Sequence, residues 1–141
     1  MAYTTAAKVQ ELAPMLGTIG TTTRVTTTGL TGIMAAVDAE IDVALQSVGY
    51  SAPYAEAGPF LTWLQKLATD GATARLYKAW FMDTSGTGSQ NQGRDLLMDY
   101  RAGLASIRDR TMVPVSIGEA SASLPSSNAA VAPVFIMGQV F

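Results

Sequence analysis

Two carboxylates one helical turn apart are the side chains of this 141-residue chain best spaced for acid–base chemistry. Asp38 and Asp42 lie four positions apart, so a helix presents both on one face and Glu40 on another. Paired carboxylates act as acid and base when their surroundings separate their pKa values. No nucleophile, metal ligand or oxyanion-donor motif accompanies them at a recognisable spacing. We therefore interpret the pair as a solvated or subunit-facing helix edge, with a small carboxylate-dependent enzyme as a remote alternative.

A glycine-containing segment is weakly similar to a phosphate-binding loop. Gly86-Thr87-Gly88 is followed by Gly93, but no strand precedes the segment and no Gly-Lys-Ser or Gly-Lys-Thr closes it. Glycine commonly interrupts chains between helices. A plain interhelical loop is the interpretation we prefer over a nucleotide site.

Three basic residues of one long segment, Lys66, Arg75 and Lys78, lie near aromatic side chains in a pattern used by binders of single-stranded nucleic acid. Three charges are few for that purpose, and Asp70 and Asp83 weaken their field. We interpret these basic residues as members of inter-helix or inter-subunit ion pairs.

The composition excludes several classes of function. Nine Lys and Arg against eleven Asp and Glu give a net charge of −2, which does not favour binding to a phosphate backbone. Neither Cys nor His occurs, so thiolate nucleophiles, imidazole bases and the usual zinc ligands are missing. No apolar run reaches the roughly 18 residues of a membrane span. We expect a protein that is not an enzyme, needs no cofactor and contacts no membrane.

Four stretches with apolar residues at three-and-four spacing predict four helices. Their predicted bounds are Ala6–Ala13, Thr31–Val48, Pro59–Met82 and Gln92–Arg110. The second has the clearest stripe, which consists of Leu30, Ile33, Met34, Val37, Ile41, Ala44, Leu45 and Val48. Residues 17–28 and 84–89 are predicted to be loops. Gly71, in the middle of the third helix, predicts close approach of another helix, since glycine there costs roughly 1 kcal/mol relative to alanine.

After Arg110 the composition changes, because residues 111–141 contain one charge, Glu119, and three of the six prolines. Met112–Ile117 and Val134–Phe141 predict short strands joined by a linker rich in Ser and Ala. The predicted fold is therefore all-α: a small bundle of about four helices over residues 1–110, with an extended C-terminal arm over 111–141 that contains short β segments.

The end of this arm is the least ordinary feature of the sequence, because an exposed apolar strand promotes aggregation. We predict that it adds as a strand to a neighbouring subunit or a partner. The alternative is that it folds back on its own bundle. The arm residues assigned to this contact are Val134, Phe135, Ile136, Met137, Val140 and Phe141. The other candidates for inter-subunit contacts are Asp38, Asp42, Lys66, Arg75, Lys78, Arg101 and Arg108.

Over roughly residues 3 to 110, the chain resembles the head–tail connector proteins of long-tailed bacteriophages, also called adaptor or head-completion proteins, including those of Mu-like prophages. The residues that carry the resemblance are Tyr3-Thr4-Thr5, the acidic segment Val37-Asp38-Ala39-Glu40-Ile41-Asp42, then Leu45, Tyr50, Pro53 and Pro59, and finally Ala74-Arg75-Leu76-Tyr77. The acidic helix followed by Tyr50 and Pro53 is the most specific part of the resemblance. Family members vary in the region after Arg110.

The resemblance implies a virion protein that forms a ring, usually of twelve copies, beneath the portal after DNA packaging. Such a ring extends the DNA channel, through which the genome passes without sequence-specific binding. It also offers a docking surface to other head-completion, stopper or tail proteins. The protein is then expected in the host cytoplasm during assembly and at the head–tail interface afterwards. A tail-completion or stopper protein of the phage neck is the alternative within the same structural class.

Overall fold

The computed structural model describes residues 2–81 and 88–112. Within these residues the chain forms four α-helices and one 3-10 turn, Pro14–Leu16, which follows the first helix. The helices are α1, Ala6–Leu12; α2, Thr27–Ser47; α3, Pro59–Trp80; and α4, Gly88–Arg108. The predicted all-α character is confirmed for this part of the chain.

Helix α1 begins as the sequence predicts. Thr5 is its N-cap, and the Thr5 hydroxyl oxygen accepts a hydrogen bond from the Lys8 amide at 3.4 Å. A side-chain acceptor at this position satisfies one of the amides that the first turn leaves without a backbone partner. Val9 is the fully buried residue of α1, and the partly buried Ala6 also packs against the core.

Helix α2 begins four residues before the predicted Thr31. Thr26 is its N-cap and accepts a hydrogen bond from the Gly29 amide at 3.2 Å. The predicted loop over residues 17–28 therefore extends two residues too far, because Thr27 and Thr28 belong to the helix. The cap stabilises a helical turn in a segment of low intrinsic helix propensity. The apolar stripe is confirmed, since five of its members are buried: Leu30, Val37, Ile41, Ala44 and Leu45.

Helix α3 is the central helix, because α1, α2 and α4 all pack against it. Besides the side that carries Leu64, Leu67 and Ala68, α3 is buried on further sides, where Thr73, Ala74, Leu76 and Tyr77 are enclosed. Small residues are buried here because three neighbours surround the helix. Both tryptophans of the chain, Trp63 and Trp80, belong to α3 and are half-buried. The helix ends two residues before the predicted Met82.

Glycines allow α3 and α4 to approach closely. A Cβ atom on Gly71 would lie 2.6 Å from the Tyr100 ring, and one on Gly93 would lie 2.8 Å from the Tyr77 Cβ. A Cβ on Gly103 would overlap the Leu67 side chain. The close approach predicted at Gly71 is thus confirmed, and α4 supplies the approaching side chain.

Helix α4 covers Gly88–Arg108, so it begins and ends earlier than the predicted Gln92–Arg110. Its start overlaps the segment 84–89 that the sequence analysis assigned to a loop. Tyr100, Leu104 and Ile107 are buried, and the charged residues of this helix are exposed. After the helix, Arg110 adopts a left-handed backbone with φ of 59°, and its guanidinium donates a hydrogen bond to the Val48 carbonyl at 3.2 Å.

Residues 2–81 and 88–112 contain no strand. The two predicted strands of the C-terminal arm lie outside the described residues, apart from Met112. None of the helices in the described ranges combines the length and the apolarity needed to cross a bilayer.

Candidate functional site: the acidic residues of helix α2

Asp38 and Asp42 hold the N-terminal segment against α2. The Tyr3 amide donates a hydrogen bond to Asp38 Oδ1 at 3.2 Å, and the Tyr3 hydroxyl donates one to Asp42 Oδ1 at 2.7 Å. The same hydroxyl oxygen accepts a hydrogen bond from the Tyr54 amide at 2.7 Å. Tyr3 is only 2% exposed, so one buried side chain links the N-terminal segment, α2 and the connection to α3.

Burial changes the acid–base properties of this cluster. It raises the pKa of the Asp38 carboxyl, and the neighbouring Asp42 charge raises it further, while the Tyr3 amide opposes the change. Burial also raises the pKa of the Tyr3 hydroxyl, the Tyr54 amide opposes this, and the carboxylates add to it. The hydroxyl therefore keeps its proton at neutral pH and acts as a donor to Asp42.

The interpretation of Asp38 and Asp42 as a solvated or subunit-facing helix edge is wrong for Asp38. Asp38 is 9% exposed and faces the N-terminal segment of its own chain, whereas Asp42 is half-buried. The bonds to Tyr3 stabilise the fold, since a buried carboxylate requires hydrogen-bond donors. What the pair does between subunits stays a prediction.

Glu40 lies on another side of α2, as the sequence predicts, and joins α3 to α4. Arg75 Nη2 contacts Glu40 Oε1 at 2.6 Å, and the Tyr100 hydroxyl donates a hydrogen bond to Glu40 Oε2 at 2.8 Å. The Arg75 guanidinium also lies 5.9 Å from the centre of the Tyr100 ring. One carboxylate thus connects three helices, and the inter-helix pairing predicted for Arg75 is realised with α2.

The partners of Glu40 favour its charged form. Burial by itself would raise the pKa of this carboxyl, but hydrogen bonds from Arg75 and Tyr100 and the charges of Arg75 and Arg108 lower it overall. Burial raises the pKa of the Tyr100 hydroxyl, and the bond to Glu40 raises it further, so this hydroxyl remains a donor.

The remaining basic candidates do not form a strip. Lys66 pairs with Asp70 one turn further along α3, and its side chain is 72% exposed. Lys78 lies twelve residues after Lys66, a separation of about 18 Å along a helix. Lys78, Arg101 and Arg108 are exposed. The structure thus assigns Arg75 and Lys66 partners within the chain and leaves the other three on the surface.

Two of the surface depressions formed by the described residues are well defined, and neither of these two is lined by the carboxylates of α2. A groove of about 450 Å³ between α3 and α4 is lined by Ala74, Tyr77, Lys78, Phe81, Gly93, Arg94 and Leu97. A second one, of about 440 Å³, lies between α1 and α3 and is lined by Lys8, Glu11, Leu12, Thr62, Gln65, Lys66, Thr69 and Asp70. Among the described residues there is no group of three or more Asp, Glu, His or Cys that could hold a metal ion.

Sequence reasoning missed the partners of the carboxylates. Tyr3 and Tyr100 lie 35 and 60 positions away from the aspartate and the glutamate that they contact. No local spacing indicates a contact of that range. The one available signal concerned Tyr100, which belongs to an apolar helix segment in which a buried hydroxyl requires a hydrogen-bond partner.

The arm residues predicted to contact a neighbour, Val134–Met137, Val140 and Phe141, lie outside the described residues. The same holds for Gly86 and Thr87 of the glycine-containing segment, whereas Gly93 packs against Tyr77. Comparisons of the chain with protein-family models, with curated proteins and with solved structures gave no match.

Proposed function

We propose that this protein is a structural component of a long-tailed phage particle, a head–tail connector of the adaptor or head-completion type. In this role it forms a ring, of twelve copies, under the portal, extends the DNA channel and provides a docking surface for further neck or tail proteins. The proposal carries forward the resemblance described for residues 3 to 110.

The observation that carries the proposal is the use of the carboxylates of α2. Asp38 and Asp42 bind Tyr3, and Glu40 binds Arg75 and Tyr100. These carboxylates therefore hold helices and segments together. The acidic segment is the most specific part of the resemblance. The same segment connects the N-terminal segment and the helices of the bundle, which supports a structural role for it.

The exposed surface of α2 also supports a role in assembly. Ala35, Ala36, Ala39 and Val43 are exposed on this helix, and Val43 is 60% exposed. A helix face of small uncharged residues can lie close to another protein surface at little cost of desolvation. The net charge of −2 is consistent with a channel wall to which passing DNA does not adhere.

Particles that lack this chain test the proposal. We expect such particles to fill their heads with DNA but to fail to join tails, so that infectivity is lost and added purified protein restores it. Fully infectious particles without the protein would contradict the proposal. Cross-linking in complete particles then separates an adaptor, which should link directly to the portal, from a stopper or tail-completion protein one layer further away.

Deletion of residues 131–141 tests the arm. We expect the shortened chain to retain its helical circular dichroism and to lose attachment to the portal or ring, because apolar residues of the arm supply the contact. Replacement of Ser126 and Ser127 by alanine, in the linker, provides a control that should attach normally. Normal assembly of the shortened chain would exclude the role assigned to the arm.

A further inference from the structure

The exposed surface of α4 carries charges that are sorted by sign. Arg94, Arg101 and Arg108 recur every seven residues, which is close to two helical turns, so they form one line along the helix. We call this line the basic edge. Asp95 and Asp99, one turn apart, form an acidic edge on another side of the helix. All five side chains are exposed.

Neither edge forms an ion pair within the described part of the chain, although the charge of Arg108 lies near enough to Glu40 to lower the pKa of that carboxyl. The ion pairs there are Lys66–Asp70 and Arg75–Glu40, and neither includes a residue of the two edges. Arg94 donates a hydrogen bond to Asn91, a neutral side chain. Like charges at positions i and i+4, such as Asp95 and Asp99, destabilise a helix. The arrangement thus weakens α4 in an isolated subunit, which is a reason to seek a partner for it.

Apolar side chains lie between the two edges. Met98 is 61% exposed, and Ala102 and Ala105 follow it on the same side of the helix. At about 100° per residue, the two edges are about 140° apart around α4. The centre of the surface is therefore apolar at Met98, Ala102 and Ala105 and polar at its two ends, where Asn91 and Asp109 are exposed, with a basic border on one side and an acidic border on the other.

We propose that the two edges of this surface bind neighbouring copies of the chain, with the α4 helices of all copies parallel and the basic edge of one copy against the acidic edge of the next. Copies related by rotation about one axis keep their α4 helices parallel, so the basic edge of one copy meets the acidic edge of the next, whereas an antiparallel neighbour would bring like edges together. Only the parallel arrangement brings Arg94 and Arg101 of one copy to Asp95 and Asp99 of the next.

The contact repeats from copy to copy because each copy offers one edge of each sign. Such a head-to-tail contact closes into a ring when each step turns in the same direction. The basic and acidic edges are less than 180° apart around α4, so each added copy is rotated in the same direction relative to the one before. The side that carries Met98, Ala102 and Ala105 then faces the ring axis. The inference rests on the proposed function, which requires a ring, and adds the surface through which the ring forms.

Charge reversal on the full-length chain tests the proposal by sedimentation at low salt over a range of concentrations up to millimolar. We expect the native chain to self-associate. Arg94→Glu with Arg101→Glu, and separately Asp95→Arg with Asp99→Arg, should each abolish association, because both edges then carry the same sign. An equimolar mixture of the two variants, and the chain with all four substitutions, should associate again.

A control matched to the arginine variant lowers net charge by the same amount elsewhere. Lys8→Glu with Thr28→Glu and Gln46→Glu alters exposed residues of α1 and α2 and should associate like the native chain. Circular dichroism verifies that each variant is folded. Arg101→Gln and Asp99→Asn, which remove charge without reversing it, give a milder pair if a reversal variant does not fold.

Two outcomes overturn the proposal: a native chain that stays monomeric at millimolar concentration, or reversal variants that associate like the native chain. Recovery in the mixture and in the fourfold variant supports it, because a merely damaged surface would not recover. The measurement uses purified protein and no particle. Its failure is therefore distinguishable from that of the connector role, which the infectivity of particles decides.

Discussion

At the scale of single residues, three glycines set the distance between α3 and α4. The space that a Cβ would take at Gly71 is occupied by the ring of Tyr100, and Gly93 and Gly103 face Tyr77 and Leu67 in the same way. Tyr100 is 1% exposed and its hydroxyl is bonded to Glu40, so its ring has little freedom to move. The helix spacing therefore depends on the absence of side chains at these positions.

We expect Gly71→Ala to lower the free energy of unfolding by about 1–3 kcal/mol, because the overlap with Tyr100 outweighs the gain in helix propensity. Urea denaturation followed by circular dichroism measures the change. Gly32→Ala is the matched control, since Gly32 lies within α2 and a Cβ there meets nothing within 4 Å. It should raise the free energy of unfolding by about 0.5–1 kcal/mol. Equal stabilisation by both substitutions would contradict the assigned role of Gly71.

The sequence predicted part of this residue-scale arrangement. Gly71 was identifiable because glycine is unfavourable in the middle of a helix. Gly93 lies inside the predicted helix Gln92–Arg110, but no sequence signal indicates its contact with Tyr77. The burial of Asp38 could not be predicted, since its donor is the amide of Tyr3 and backbone amides leave no signature in the sequence.

At the scale of elements, the beginning of α2 depends on a cap within a run of low helix propensity. Thr27, Thr28 and Gly29 form the first turn, and none of them favours a helix. The hydrogen bond from the Gly29 amide to the Thr26 hydroxyl compensates for part of this deficit. The first turn of α2 is therefore more dependent on its cap than a turn of better helix formers would be.

Thr26→Ala should lower the free energy of unfolding by about 1 kcal/mol, because it leaves an amide of the first turn without its side-chain acceptor. Thermal and urea denaturation both measure this loss. In Thr28→Ala the replaced residue is exposed and lies after the cap, so stability should be unchanged or slightly higher. If the two variants proved equally stable, the role of the Thr26 cap would be refuted.

The existence of each helix followed from its apolar spacing, while the bounds depended on features that spacing does not contain. Leu30, Val37 and Ile41 predicted α2 because one buried side of a helix repeats every three or four residues. The central position of α3 was less predictable. Thr73 and Ala74 are buried by neighbouring helices, and small or polar residues do not indicate this in a sequence.

At the scale of the whole molecule, two acidic groups make the stability depend on pH in opposite directions. The pKa of Asp38 is raised, so the folded state binds that proton more tightly than the unfolded chain does. The pKa of Glu40 is lowered, so the folded state binds its proton less tightly. The stability that Asp38 contributes is therefore lost as the pH rises above the ordinary pKa of this carboxyl. The stability that Glu40 contributes is lost as the pH falls below the ordinary pKa of that carboxyl.

We expect Asp38→Asn and Glu40→Gln to change the pH profile of stability in opposite senses. As pH rises from the ordinary pKa of Asp38, 3.8, towards its raised value, Asp38→Asn should gain stability relative to the native chain. As pH rises towards the ordinary pKa of Glu40, 4.5, Glu40→Gln should lose stability relative to the native chain. Urea denaturation between acid and neutral pH measures both differences.

Thr28→Ala changes no ionisable group and should follow the native profile at every pH. Parallel profiles for all the variants would refute the assignment of these two carboxyl groups. At this scale the sequence predicted the class and order of the elements. It did not predict that carboxylates on two sides of α2 hold the N-terminal segment and the two long helices, because that depends on contacts over 35 positions or more.

The central position of α3 has a practical consequence for spectroscopy. Trp63, which stacks on Phe60 at 5.8 Å, and Trp80 near the other end are the only indole groups of the chain, so its tryptophan fluorescence, excited selectively, originates entirely from this one helix. Emission wavelength and quenching by iodide can thus report on the surroundings of α3 without any added dye. Replacing either tryptophan by phenylalanine would assign the signal to one end of the helix.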